Sequence, residues 1–197
     1  VQDGDAVEVS VRRDRPQSTG GLNITIGSYS AHLKVTVPVK ARIEAGTGDG
    51  RVSVRRLNGD ISVRTGDGSI ALTDVAGAVD VASGDGSIQI EGVLTRVNSR
   101  SGDGRVSVRA AAGTVPTGEW SISTGDGAVS LELPDGFNAN LDATTGDGRV
   151  MVNVPFTSDA ESDRRRSAQG RIGSGGPTLR VRSGDGVILI KQAGSQS

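Results

Sequence analysis

The chain has 197 residues and no cysteine, which excludes disulfides, thiolate metal sites and cysteine nucleophiles together. It leaves the compartment open, because exported bacterial proteins also do without cysteine. Aromatic residues make up 2% of the chain. Trp120, Tyr29, Phe137 and Phe156 are too few for the stacking floor that sugar subsites commonly use. The one histidine, His32, precedes a strand pattern and has no evident serine or carboxylate partner, which argues against a catalytic triad or a histidine-based zinc site. Neither charge sign prevails: 22 basic against 23 acidic residues leave a formal charge of −1, so no net field draws the protein to nucleic acid or an anionic membrane. No apolar run approaches the roughly 20 residues that span a bilayer. Val1 to Asp5 lacks the segments of a signal peptide, and a soluble chain without a transmembrane segment is expected.

What is abundant is glycine, with 30 residues, against 34% hydrophobic residues. A small polar residue followed by Gly-Asp-Gly recurs seven times, at Asp49, Asp67, Asp85, Asp103, Asp126, Asp147 and Asp185, and the first four are 18 residues apart. Fixed-period repetition indicates a stacked array whose units bury their apolar faces only against neighbours. A weaker turn signal lies halfway between the marks: Asn58-Gly59-Asp60, Ala76-Gly77-Ala78, then Thr95-Arg96. After each turn the chain alternates, as in Val52/Val54, Ile61/Val63, Ile70/Leu72, Val79/Val81, Ile88/Ile90 and Val106/Val108, and period two means strand. The corner glycines are expected to supply positive φ, and the Asp to bond its own backbone two residues on.

An 18-residue coil supplies at most roughly 59 Å of chain, and two five-residue strands with two walls about 10 Å apart require roughly 54 Å, so the coil just closes. Stacking then aligns Val52, Ile70, Ile88 and Val106 in one inward column and Val54, Leu72, Ile90 and Val108 in the next. The fold expected is all-β, a single-domain parallel β-solenoid, or β-helix, with coils of about 18 residues. The alternative is an antiparallel β-meander or sandwich, because a nine-residue spacing with Asn-Gly and Asp-Gly turns also suits hairpins. Like turns recurring at every second strand favour the coil.

Within one domain, residues 1–46 are expected to cap the stack, with strand patterns at Val7/Val9/Val11, Leu22/Ile24/Ile26 and Val35/Val37/Val39. Residues 47–154 form the Gly-Asp-Gly coils. Beyond Asp103 the spacing loosens to 23, 21 and 38 residues, so extra residues leave the stack as loops. Residues 155–177, with Arg164-Arg165-Arg166 and Gly173-Ser174-Gly175-Gly176, are expected as an exposed excursion, and residues 178–197 as the final coil and tail.

The run Val37-Pro38-Val39 into Ala41-Arg42-Ile43-Glu44, the Thr-Gly-Asp-Gly repeats, the segment Gly175-Gly176-Pro177-Thr178-Leu179-Arg180-Val181 and the last Ser183-Gly184-Asp185-Gly186 turn resemble the bacterial DUF4097 family of adhesin-like β-strand repeat proteins. The resemblance covers about residues 33 to 191. It implies an exported or envelope-associated β-helical domain at the cell surface, with no enzymatic activity and no catalytic residues to transfer.

Candidate chemistry concentrates on the repeated acids. If Asp49, Asp67, Asp85 and Asp103 stack about 4.8 Å apart, each neighbour costs of order 1 kcal/mol in water. One turn hydrogen bond offsets about 0.5–1.5 kcal/mol, and Arg51, Arg64, Arg105 and Arg149 lie close by, so the column needs no ion. Calcium at these four aspartates is the functional alternative, by analogy with calcium β-rolls, although the opposite turn lacks the repeating ligands those need. Paired carboxylates such as Asp80 and Asp85 offer a weaker case for polysaccharide cleavage. Arg164 to Arg166 suit a solvated loop beside Asp159, Glu161 and Asp163 better than a phosphate site. The function expected is a non-enzymatic structural or adhesin-like module presenting a rigid polar surface, with cell-surface polymers as partners. Self-assembly through the solenoid ends is the alternative, because Val187-Ile188-Leu189-Ile190 is unusually apolar for an edge strand.

Overall fold

The computed structural model describes residues 2–3, 6–7, 33–158 and 165–194. The chain divides into two compact units, Val1–Thr36 and Val37–Ser197. In the first, β1 (Gln2–Asp3) and β2 (Ala6–Val7) form an antiparallel pair. The second unit holds β3 (Ile43–Thr47), β4 (Val52–Asn58), β5 (Ile61–Thr65), β6 (Ile70–Ser83), β7 (Ile88–Ser101), β8 (Val106–Ala110) and β9 (Trp120–Thr124). It continues with β10 (Val129–Leu133), β11 (Ala139–Thr145), β12 (Val150–Asn153), β13 (Phe156–Ser158), β14 (Ser167–Ile172), β15 (Thr178–Ser183) and β16 (Ile188–Gln192). No helix occurs among the described residues, so none there is long and apolar enough to cross a membrane.

The second unit is all-β, mostly parallel and solenoid-like, with two walls. Wall A follows the Gly-Asp-Gly corners and stacks β4, the first half of β6, the first half of β7, β8, β10, β16 and β12, all in parallel. Wall B precedes those corners and stacks β3, β5, the second halves of β6 and β7, β9, β15 and β11, again in parallel. In the first coils the partners are eighteen positions apart: Ile43 with Ile61, Ile61 with Val79, Val52 with Ile70, Ile88 with Val106. These parallel pairs rule out the antiparallel meander. Among the described residues, antiparallel pairing in this unit is confined to β14 on β11 and β13 on β14.

Alternation directs one set of side chains between the walls. Ile70, Ile88, Val106, Val129 and Ile188 form one wall A column and Leu72, Ile90, Val108, Leu131 and Ile190 the next, each residue at most 1% exposed. From wall B come Val63, Val81, Ile122 and Val181, also at most 1% exposed. Each fully buried Val, Leu or Ile contributes about 1.5–3 kcal/mol, so this thin, regular core is the main stabiliser of the stack. At the first coil Ile43, Ala45, Val52 and Val54 are only partly buried, because no further coil covers them among the described residues.

The stack departs from chain order at one place. After β10 the chain skips a level, lays down β11 and β12, returns through β13 and β14, and then fills the skipped level with β15 and β16. Val187–Ile190 is therefore no edge: β16 lies between β10 and β12, with Ile188 and Ile190 fully buried. Its apolar character is that of an interior strand. Likewise residues 155–177 are more than an excursion, since β13 and β14 close the far edge of wall B. Residues 159–164 of that segment, with Asp159, Glu161, Asp163 and Arg164, lie outside the described residues. So do most of the capping strands expected in residues 1–46, along with Tyr29 and His32. β3 already pairs in register with β5, so the stack begins before residue 47. The strand expected at Val35/Val37/Val39 does not form: its three valines are 54%, 40% and 64% exposed, and the segment meets β4 only at its end, where Val39 O accepts from Asn58 N at 2.7 Å and Lys40 makes a single bridge to Asn58.

Candidate interaction surface

All seven Gly-Asp-Gly corners fall in one column. The registers join Thr47, Thr65, Ser83, Ser101, Thr124, Ser183 and Thr145 in that order. Each of these residues except Thr47 turns a buried hydroxyl toward the preceding level. Ser83 Oγ donates to Gly68 O at 2.9 Å and accepts from Gly86 N at 3.0 Å, and Ser101 Oγ repeats this with Gly86 O and Gly104 N at 3.0 and 3.1 Å. Thr124, Ser183 and Thr145 donate to Gly104, Gly127 and Gly186 in the same way. The first glycines add backbone bonds from level to level, Gly66 N to Gly48 O at 2.7 Å and Gly184 N to Gly125 O at 2.6 Å among them. This hydroxyl ladder was written in the sequence as the small polar residue before each Gly-Asp-Gly. Its function emerges only when the neighbouring carbonyls are in place.

The glycines of these corners do not provide positive φ; the glycines that do lie elsewhere, Gly59 and Gly77 among them. They are required by contact between coils: a Cβ on Gly86 would sit 1.9 Å from Gly68 O, and one on Gly104 2.1 Å from Gly86 O. Nor does the Asp close the turn. Among the described residues, Asp49, Asp67, Asp85, Asp103, Asp126 and Asp185 are exposed and make no side-chain hydrogen bond or ion pair, whereas Asp147 meets Arg166 at 3.5 Å. The nearby arginines do not neutralise the column either: Arg51 donates to Ser69 at 3.0 Å, and Arg64 faces Asp80 at 3.8 Å. The four calcium candidates are thus neighbours in one line, but among the described residues no three His, Cys, Asp or Glu side chains converge to hold a metal.

The outer face of wall B is polar and partly cross-linked. Asp142 receives Arg182 at 2.7 Å and Arg180 at 3.5 Å, while Arg180 also holds Glu119 at 2.6 Å. Nearer the first coils, Arg42, Glu44, Asp60, Arg64, Asp80 and Arg96 surround a shallow depression of about 300 Å³ in which Ala78 supplies a short side chain. Asp80 lines it, accepting from Asn98 at 3.1 Å, but Asp85 does not, so these two acids are not brought together in it. On wall A, Glu132 accepts from Arg109 at 2.7 Å and lies 3.0 Å from Lys191, joining three strands. Partial burial pushes its carboxyl up, but the hydrogen bonds and charges of Arg109 and Lys191 outweigh burial and hold it below the ordinary value. Trp120 and Phe137 form an edge-on pair, ring centroids 5.3 Å apart, and are 1% and 4% exposed, which makes them core and no sugar platform.

The Toastrack DUF4097 family profile matches residues 1–114 and again residues 76–191. The chain belongs to the DUF4097 family. Two overlapping matches within one chain accord with the internal repeat. A crystal structure of a "putative cell adhesion protein" from Clostridium sporogenes ATCC 15579 is similar over 78% of this chain and 93% of that one, with 13% sequence identity and a TM-score of 0.49. No curated protein matches this DUF4097 chain.

Proposed function

We propose that the chain is a non-enzymatic, adhesin-like structural module of the cell envelope or cell exterior, which presents a rigid polar surface to cell-surface polymers. One observation carries this: the corner aspartates recur in register from level to level, so solvent meets an evenly spaced column of carboxylates beside wall faces that mix acids, arginines and neutral polar residues. Such a surface suits many weak contacts along an extended polymer. The 18-residue coil is the unit that sets the spacing. Membership of DUF4097 supports the envelope location, through the adhesin-like character the family resemblance implies.

The test is binding of the purified chain to immobilised bacterial cell-wall polysaccharides and host glycans across a salt series. Salt-sensitive binding that weakens in Arg42→Ala/Arg64→Ala/Arg96→Ala, at unchanged melting temperature, supports the reading. Hydrolysis of any polymer without retention on one contradicts it. Two further proposals remain open to experiment. Calcium bound along Asp49, Asp67, Asp85 and Asp103 is favoured by their shared column and requires a melting temperature that rises with millimolar Ca²⁺ over chelator. Filament growth through the solenoid ends is favoured by the outer edges of β4 and β12, which pair with no strand among the described residues, and requires end-to-end particles in electron micrographs.

A further inference from the structure

The coil formed by β15 and β16 is the last part of the chain described as strand, yet it occupies an interior level of the stack. The slot it fills is built entirely from earlier segments: β9 and β10 on one side, β11 and β12 on the other. Until it is filled, those four strands present unpaired edges. Entry runs through residues 173–177. These cross the start of β11, because β14 and β15 flank that strand, and Gly173, Gly175 and Gly176 all have positive φ. We infer that the slot also accepts the C-terminal coil of a second copy of this chain, giving a dimer by reciprocal exchange.

Every contact that fixes the coil can be made equally well from another chain. Val181, Ile188 and Ile190 would be buried in the same columns, Ser183 would donate to Gly127, and Lys191 would meet Glu132. Only the conformation of residues 173–177 and the entropy of association differ, which makes exchange of an identical element a low-cost route to a dimer. A short connection gives the chain's own coil a millimolar effective concentration, so exchange gains at high protein concentration or when the connection cannot close. Five residues span the two strand spacings, about 9.6 Å, that separate β14 from β15. Three intervening residues make four Cα–Cα steps, about 13–14 Å when fully extended, which leaves only a few ångströms for reversing direction at both ends.

The absence of native cysteine makes cross-linking of the full chain a clean test. Ser130 and Leu189 are register partners on β10 and β16, and both point outward. Chains carrying Ser130→Cys and chains carrying Leu189→Cys are unfolded together, refolded at two concentrations and oxidised. The expected result is a disulfide joining position 130 of one chain to position 189 of another. While dimer is the minor species, a tenfold rise in concentration raises its ratio to monomer about tenfold. Deleting Ser174 and Gly175 should shift the chain further toward dimer. The proposal is overturned if the mixture gives no such link between chains while the Ser130→Cys/Leu189→Cys double variant closes within one. Failure of that double variant to close also overturns it, since the slot itself would be wrong.

Discussion

The two corners of each coil obey different rules. At the Gly-Asp-Gly corner length never varies, and hydroxyl and backbone bonds tie each level to the next. At the opposite corner the first coils turn through Gly59 and Gly77 with φ of +149° and +129°, and later coils replace that turn with loops. Residues 111–119 lead into β9, 134–138 into β11, and 173–177 into β15. The loosened spacing beyond Asp103 thus arises on one side of the stack. An extra residue at the hydroxyl ladder would break every level bond at that point, whereas one at the far corner only lengthens a solvent-exposed loop.

The sharpest way to break this contrast is a methyl group at the constant corner. Gly86→Ala places a Cβ 1.9 Å from Gly68 O, a backbone carbonyl of the preceding level. It should cost about 3 kcal/mol or more, read as a large fall in denaturation midpoint. Gly113 lies in the loop edge with φ of +86° and open space around it. Gly113→Ala should therefore cost only the dihedral strain of about 1–2 kcal/mol. Equal losses at the two sites would remove the distinction.

Hydroxyls give the next largest effect. Ser101→Ala leaves Gly104 N without its acceptor in a buried position and should destabilise by about 1–3 kcal/mol. Two residues earlier, Ser99 is 1% exposed and its hydroxyl has no partner among the described residues, in a column otherwise apolar at Val81 and Ile122. Ser99→Val should raise stability by about 1 kcal/mol. Calorimetry of the two variants should give shifts of opposite sign.

Near the variable edge, ordering depends on charge. The Glu132 carboxyl is held below its ordinary value in the folded state, so its contribution is full above the ordinary carboxylate range and is lost as pH falls through the lowered value. Glu132→Gln should cost about 1 kcal/mol or less at neutral pH, because Arg109 is largely solvated. The gap from the unaltered chain should close on acidification. Smallest of all, Asp85→Asn should change stability by under about 0.5 kcal/mol, because its carboxylate makes no side-chain bond among the described residues.

Much of the stack was legible in the sequence, for a definite reason. Alternation at Val52/Val54, Ile70/Leu72 and Ile88/Ile90, repeated at a fixed interval, leaves one register that turns all of these side chains inward. The position of the C-terminal coil was not legible. Val187–Ile190 has the same pattern wherever its level lies, and no local signal says that the chain skips one level and returns to it. The role of the corner residues was half legible: glycine and a small hydroxyl residue were visible, but the carbonyls they meet belong to another level. The same limit applies to the aspartates, whose regular spacing says nothing about whether anything binds them.

The corners form one column in the order Asp103, Asp126, Asp185, Asp147, with the C-terminal coil inside the stack. Disulfide trapping of paired cysteines at these corners tests that order directly. Asp126→Cys/Asp185→Cys and Asp185→Cys/Asp147→Cys should each close within one chain. Asp126→Cys/Asp147→Cys should not, because those positions lie two strand spacings, about 9.6 Å, apart and beyond disulfide reach. Ready closure of that last pair, with position 185 linking to neither, would contradict that order.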